Sequence, residues 1–241
     1  MDAIVTTNLV KKYGDFTAVD DLNLTIKQGE LFSLLGLNGA GKTTVIKMLS
    51  CLSKPTGGDA FLLGDSINEK PQSIKKIINL SPQETAVAPN LTVKENLELI
   101  AGLYGQNSKN SQKSAALTAN RFGLDDVMSK KAKILSGGMQ RRLSIAMALI
   151  SSPEILFLDE PTLGLDVLAR RELWAAIKAL KGKVTVVLTT HYLEEAEALS
   201  DRVGIMAKGK SVAVGTVSDL IGQTGTTKLE DAFIALNGGA I

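Results

Sequence analysis

Gly36-Leu37-Asn38-Gly39-Ala40-Gly41-Lys42-Thr43-Thr44 is the stretch that decides the fold. An apolar run, Leu31-Phe32-Ser33-Leu34-Leu35, leads directly into it, and a helix-like pattern, Val45-Ile46-Lys47-Met48-Leu49, follows. Strand, glycine-rich turn, helix is the setting a phosphate-binding loop requires. The glycines let the backbone wrap closely round a polyphosphate, with successive N–H groups pointing inward. The start of the next helix adds the positive end of its dipole. Lys42 can then reach the terminal phosphates, and the Thr43 hydroxyl can ligate Mg²⁺. The rival reading is an ordinary glycine-rich βα turn with a surface lysine. The spacing of Gly36, Gly41, Lys42 and Thr43 between those flanks argues for the phosphate loop, so the chain is expected to bind a nucleoside triphosphate.

The totals set bounds. With 241 residues, the chain can form one large α/β domain or a core with subdomains. Lys and Arg number 27 against 25 Asp and Glu, a net charge of +2, so there is no strong nucleic-acid or polyanion footprint. Lys130, Lys131 and Lys133 read as a solvated face. The one cysteine, Cys51, rules out an internal disulfide and reads as a small buried hydrophobe on the helix after the loop. Met1-Asp2-Ala3-Ile4 carries no basic region or long apolar run, so no signal peptide is expected. The longest apolar run, around Ile145 to Ile150, stops at Ser151-Ser152-Pro153, well short of the roughly 18 residues of a membrane helix. A soluble cytoplasmic chain is expected, whose work across a membrane would need another polypeptide.

Ahead of the loop, Ile4-Val5 and Leu9-Val10 form a short strand, and Leu22, Leu24 and Ile26 alternate with polar neighbours as a half-buried strand does. Tyr13 lies between them. It is either a strand-edge aromatic or a flat surface for a base. Beyond the loop, Lys54 to Gly58 is a turn by composition, Ala60 to Leu63 a strand, and Pro71 the start of a short helix. Ile77 to Leu80 resembles a buried strand ending at Ser81-Pro82-Gln83. Thr92 and Glu95 form a capping box. From there to about Ile150 the pattern is helical, with the polar stretch Gly105 to Ser114 expected to be a loop.

Ile155-Leu156-Phe157-Leu158-Asp159-Glu160 is a continuous apolar strand ending in two carboxylates. Unbroken apolarity fits a parallel strand covered on both faces, and ligands of such sheets bind at the C-terminal strand ends. Asp159 suits a Mg²⁺ shell and Glu160 a base that polarises water. A helix over Val167 to Leu180 follows, then a strand from Val184 to Leu188 ending at Thr189-Thr190-His191, with the only histidine of the chain at that edge. Val203 to Met206 and Ser211 to Val214 read as strands around a Lys208-Gly209-Lys210 turn, and Leu229 to Leu236 as a helix. In Leu135-Ser136-Gly137-Gly138-Met139-Gln140, Ser136 sits at an N-cap position. The glycines beside it make either a second anion site or a plain serine-capped helix start.

Together these motifs resemble the nucleotide-binding subunit of ABC transporters over nearly the whole chain. Leu135 to Gln140 carries the resemblance, because it matches the signature hexad largely confined to that family. The resemblance implies a P-loop NTPase core of α/β class (about 1–84 and 152–241, with an N-terminal antiparallel β subdomain) and an inserted helical subdomain (about 85–151). It implies that Tyr13 stacks on adenine, that Gln83 senses Mg²⁺ and the γ-phosphate, and that His191 holds the γ-phosphate and orients Glu160. Asp166 in Leu163-Gly164-Leu165-Asp166 matches the aspartate of the D-loop, although Val167 replaces a common proline and Leu163-Gly164 a common small-polar pair. The stretches from Gln83 to Gly105, from His191 to Glu197 and from Leu229 to Phe233 are most similar to ABC-2-type export ATPases of the drug-resistance kind. The expected activity is ATP hydrolysis with ATP and Mg²⁺. The expected assembly is a head-to-tail dimer, a homodimer in the simplest case, that holds ATP between one phosphate loop and the partner's Ser136-Gly137-Gly138. It would sit on the cytoplasmic face of the membrane against a separately encoded permease, with no nucleic-acid partner. A soluble assembly-scaffold ATPase is the alternative, which matches the Gln83–Gly105 stretch and the tail less well.

Overall fold

The computed structural model describes residues 1–238, so the expected domain end at 241 lies outside the described residues. A long hairpin comes first, β1 (Asp2–Tyr13) with β2 (Phe16–Lys27), followed by β3 (Leu31–Leu35) and α1 (Lys42–Leu49). Then come β4 (Gly57–Leu62), β5 (Asp65–Ser66), α2 (Pro71–Ile77) and β6 (Ile78–Ser81). Three helices follow, α3 (Val93–Leu103), α4 (Ser108–Arg121) and α5 (Gly137–Leu149). The chain then alternates through β7 (Ile155–Asp159), α6 (Val167–Lys178), β8 (Thr185–Thr190) and α7 (Leu193–Leu199). It closes with β9 (Arg202–Ala207), β10 (Lys210–Gly215), α8 (Val217–Thr224) and α9 (Leu229–Leu236).

The strands make two sheets. One is antiparallel with order β2-β1-β4-β5, and the other has order β10-β9-β3-β8-β7-β6. In the second, β9, β3, β8, β7 and β6 run parallel and β10 is an antiparallel edge. Its central strands show why unbroken apolar runs work here. Leu31, Leu156, Leu158, Val186 and Leu188 pack into a core shared with α3 to α6. Their neighbours Phe32, Leu34, Ile155, Phe157 and Val187 point the other way, into a core shared with α1 and the antiparallel sheet. Alternate side chains thus serve opposite faces. Each such residue contributes about 1.5–3 kcal/mol of burial. The parallel alignment also brings the C-terminal ends of β3, β6, β7 and β8 to one edge.

Several elements differ from the sequence expectation. The stretch expected to be a loop over Gly105 to Ser114 contains the start of α4, which the Asn107 side chain caps by accepting from Asn110 N. Its buried stripe is Ser111, Ala115 and Ala119, at four-residue spacing. These residues are too small and polar for hydropathy to register, yet they suit close packing on α3. β1 is one twelve-residue strand, and β4 starts at Gly57, inside the expected turn. Two short helices, α7 and α8, escaped notice. α8 carries its own capping box, Thr216 with Asp219. Cys51 lies just past α1 with a left-handed φ of 57° and is half-buried; burial pushes its thiol pKa up.

Candidate active site at the phosphate-binding loop

β3 delivers the chain into the loop, and two glycines are fixed by their surroundings. A Cβ on Gly36 would lie 2.5 Å from the Met206 carbonyl of β9, and one on Gly41 would lie 2.5 Å from the Ala18 carbonyl of β2. Gly41 also has φ near +102°, where only glycine is comfortable. Inside the loop, Ala40 N donates to Leu37 O and Val45 N to Gly41 O. Among the described residues, the amides of Gly39, Gly41, Lys42 and Thr43 donate to no carbonyl of the chain. Four free N–H groups at a helix N-terminus are a donor set for an anion, which fits a polyphosphate.

Lys42 is buried. Its Nζ donates to Gly36 O at 2.7 Å and Leu37 O at 3.2 Å and lies 3.8 Å from Glu160 Oε1. Burial pulls its pKa down, while the charges of Glu160 and Asp159 pull it back up. Thr43 Oγ1 donates to Asp159 Oδ1 at 3.1 Å, and Thr189 Oγ1 donates to the same oxygen. One hydroxyl and one carboxylate oxygen therefore stand side by side below the loop. Among the described residues no cluster of three His, Cys, Asp or Glu could hold a metal. That poor protein ligand set fits Mg²⁺, which takes one or two carboxylates and completes its shell with phosphate and water.

Glu160 directly follows β7 in an uncomfortable conformation, φ near +45°. For a non-glycine residue this is strain that the surroundings must enforce, and such strain concentrates at functional sites. Its amide donates to Thr189 O at 3.2 Å and Thr189 Oγ1 at 3.0 Å. The turn aims the carboxylate across the loop, with Oε1 3.3 Å from His191 Nδ1. His191 Nδ1 is buried and has no aligned hydrogen-bond partner, so it keeps a bond in reserve.

The resulting cleft has a volume of about 470 Å³. Asn38, Gly39, Ala40, Gly41, Lys42, Thr43 and Thr44 line it together with Gln83, Glu160, His191, Leu163, Phe16 and Ala18. Of the residues expected at the nucleotide, Asp159 lies buried beneath this set and Gly36 at its base. Tyr13 does not line the cleft. It pairs with Phe16 across the hairpin, half-exposed, with Lys11 Nζ 5.0 Å from its ring centroid. Phe16, which the motif reading passed over, reaches the cleft instead. Thr189 was also missed, because strand pairing rather than any motif brings it to Asp159 and Glu160.

Ser136, Gly137, Gly138 and Asp166 lie elsewhere. Ser136 caps α5, accepting from Met139 N at 3.3 Å, and Asp166 caps α6, accepting from Ala169 N at 2.9 Å. The two helix starts touch: a Cβ on Gly138 would be 2.9 Å from Ala169 Cβ. Gly137 is different, since a Cβ there would meet nothing within 4 Å and its φ is not positive. Beside these residues Leu163, Val167, Leu168 and Ile134 are exposed apolar side chains. Arg141, one turn into α5, is buried and grips main-chain carbonyls at the end of β7 and in the segments that follow β6 and β7; lying just past the signature hexad, it had no reading of its own.

Parallel sheet, phosphate loop and paired strand-end carboxylates define a P-loop nucleoside triphosphatase. Comparison with known proteins narrows the class. Residues 19–163 match the ABC transporter family. The probable multidrug ABC transporter ATP-binding protein YbhF of Escherichia coli (strain K12) is 40% identical over 97% of this chain. The chain spans 41% of that relative's length. The daunorubicin/doxorubicin resistance ATP-binding protein DrrA of Streptomyces peucetius is 40% identical over 94% of this chain and 69% of its own. Among solved structures, a dimeric post-hydrolysis state of the ATP-binding cassette MJ0796 bound to ADP and Pi superposes with TM-score 0.79. It is 30% identical, covering 88% of this chain and 98% of that one. The chain belongs to the ABC transporter family, as an ATP-binding ATPase cassette.

Proposed function

We propose that the chain powers export through a separate membrane protein, hydrolysing Mg²⁺·ATP at this cleft as one half of a head-to-tail dimer. The observation that carries the reading is the strained Glu160, whose carboxylate stands between Lys42 Nζ and His191 Nδ1 over a loop of unpaired amides. In this reading the loop from Gly36 to Thr44 holds the phosphates, and Lys42 leaves the carbonyls of Gly36 and Leu37 for phosphate oxygens. Thr43 and Asp159, with Gln83 from the cleft wall, would hold Mg²⁺, which neutralises charge that develops on the phosphates. Glu160 polarises the attacking water and takes its proton. His191 uses its reserved bond to orient that carboxylate and meet the γ-phosphate. Adenine lies against the β1–β2 hairpin, at Tyr13 with Phe16 beside it.

The opposite wall is assigned to Ser136, Gly137, Gly138 and Asp166 of a second copy. Ser136 and Gly137 stand exposed at the start of α5, with open space where a Gly137 Cβ would lie, which supports this reading. ATP would bind the closed dimer better than the open one, and that difference shifts the population on binding and releases it on hydrolysis. No helix among the described residues is long and apolar enough to cross a membrane. A separate permease at the cytoplasmic face is part of the proposal, and the names of relatives as transporter or drug-resistance ATP-binding proteins support it. No observation favours the assembly-scaffold alternative.

Affinity purification of the tagged chain from detergent-solubilised membranes tests the transport assignment. A multi-helix membrane protein retained in stoichiometric amount, and stimulating ATP turnover when reconstituted, is the expected result. Retention of soluble assembly proteins alone would overturn it.

A further inference from the structure

Among the described residues, Arg141 is a buried cation without a carboxylate partner. Its side chain donates only to main-chain carbonyls: Nε to Pro161 at 2.8 Å, Nη2 to Asp159 at 2.8 Å and Glu160 at 3.2 Å, Nη1 to Pro82 at 2.5 Å and Gln83 at 3.2 Å. Every donor of the guanidinium fork faces one of these five oxygens. Three belong to consecutive residues around the strained turn at Glu160, and two to the segment that places Gln83. Burial lowers its pKa to about 10, which leaves it charged at neutral pH. A buried charge held only by carbonyl dipoles fixes their orientation, because any rotation of the turn would strip bonds from it. Glu160 has φ near +45°, so its conformation has to be enforced, and Arg141 grips the three carbonyls around it.

The lever arm of this clamp is α5. Ser136 and Gly137 stand exposed at its first turn, and Arg141 is on the next turn of the same rigid helix. Resting on the dimer proposed above, we infer that Arg141 is a positioning residue that makes the aim of each chain's Glu160 depend on where its α5 sits. The nucleotide gripped by Ser136 belongs to the partner's phosphate loop, whereas the carboxylate steered by Arg141 belongs to the chain's own site. Occupancy of one site would thereby arm the other, with Gln83 drawn into the same clamp.

The test separates the two addresses. Dimers are assembled from differently tagged subunits, one carrying Glu160→Gln so that only the other subunit's Glu160 turns over. Arg141→Lys, which keeps the charge and loses the planar fork, is then placed on either subunit. On the subunit with intact Glu160 it is expected to lower kcat about 10–100-fold, the scale of a catalytic group displaced by a fraction of an ångström, with KM for ATP little changed. On the Glu160→Gln subunit the fall should be at least tenfold smaller, although that subunit's Ser136 faces the working nucleotide. The Hill coefficient of the symmetric Arg141→Lys dimer should drop towards one. Equal losses in both placements, a larger loss in the second, or no loss in either would overturn the inference while leaving the dimer intact. Failure of the mixed dimers to assemble with ATP would instead remove the shared site itself, and this inference with it. Should Arg141→Lys prove unstable by thermal melting, Arg141→Gln offered exogenous guanidinium gives the same comparison, and rescue confined to the first placement is the supporting result.

Discussion

The loop from Gly36 to Thr44 and the start of α5 are both glycine-rich entries into helices, and the chain treats them oppositely. At the loop, Gly36 and Gly41 each have an internal reason. Gly36 backs onto the Met206 carbonyl, and Gly41 combines a carbonyl at 2.5 Å with φ near +102°. Lys42 is spoken for by Gly36 and Leu37, and Thr43 by Asp159. At α5 the helix start is capped by Ser136, yet Gly137 faces open space in an ordinary conformation. Neither strain nor packing requires a glycine there, which leaves the exposed start of α5 open to approach from outside the chain. In the dimer proposed above, the first region is one half of a site and the second is the surface that meets the partner's half.

The sharpest way to break that contrast is at the carboxylate of the first half. Glu160→Gln should lower ATP turnover by about 10²–10⁴-fold with ATP binding retained, and should accumulate an ATP-bound dimer on size-exclusion chromatography. Wild-type turnover in this variant would remove Glu160 from the chemistry. At the other region, Ser136→Arg should leave ATP binding by the monomer unchanged while ATP-dependent dimerisation disappears. Turnover should fall by roughly 10²-fold, the scale of one lost transition-state donor. Unimpaired dimerisation would mean that the start of α5 is not an interface. The same substitution placed in both regions gives a smaller, cleaner reading. Gly41→Ala should cost roughly 1–3 kcal/mol in denaturant unfolding, because a Cβ is forced into a left-handed site beside a carbonyl. Gly137→Ala should change stability by less than about 1 kcal/mol, in the stabilising direction. Equal costs would erase the distinction.

The smallest effect concerns a buried acid between the two regions. Glu195 of α7 accepts from Thr162 Oγ1 at 2.9 Å and Trp174 Nε1 at 3.0 Å, tying the segment after His191 to the turn before Asp166. Burial raises its pKa above the ordinary 4.5, against the pull of those hydrogen bonds. A raised folded-state pKa means a stability contribution complete below the unfolded value and lost as pH rises through the folded one. Glu195→Gln keeps the acceptor and removes the titration. Its unfolding free energy relative to wild type should therefore shift in the variant's favour as pH rises from about 4.5 upwards, measured by urea titration. A pH-independent difference would show that Glu195 is not the titrating group.

Leu31–Leu35 and Ile155–Asp159 were legible because a strand buried on both faces writes its environment as unbroken apolarity. The loop was legible because phosphate binding constrains spacing as well as residue type. α4 was not, since its buried stripe is Ser111, Ala115 and Ala119, which carry little hydrophobic signal. α7 spans only seven residues, too few for a period to establish itself. Motifs named most of the residues that line the cleft, but also Tyr13, which lies outside it, and they passed over those delivered by tertiary pairing. Thr189 reaches Asp159 because β8 lies beside β7, and Phe16 reaches the cleft because the hairpin folds over the loop. Arg141 stood in view but had no acid nearby in sequence, and its partners are carbonyls, which no residue code announces.

The strand order has a consequence during synthesis. β3, which carries the phosphate loop, pairs on one side with β8 and on the other with β9. Both partners are made about 150 residues later, so at ribosomal rates Leu31-Phe32-Ser33-Leu34-Leu35 waits roughly 8–30 s with both edges open. The nascent chain therefore holds its most apolar strand unpaired until almost the whole cassette has emerged. Nucleotide binding can begin only when the late strands close on it, which makes ATP a ligand of the finished chain and not of its growing intermediates.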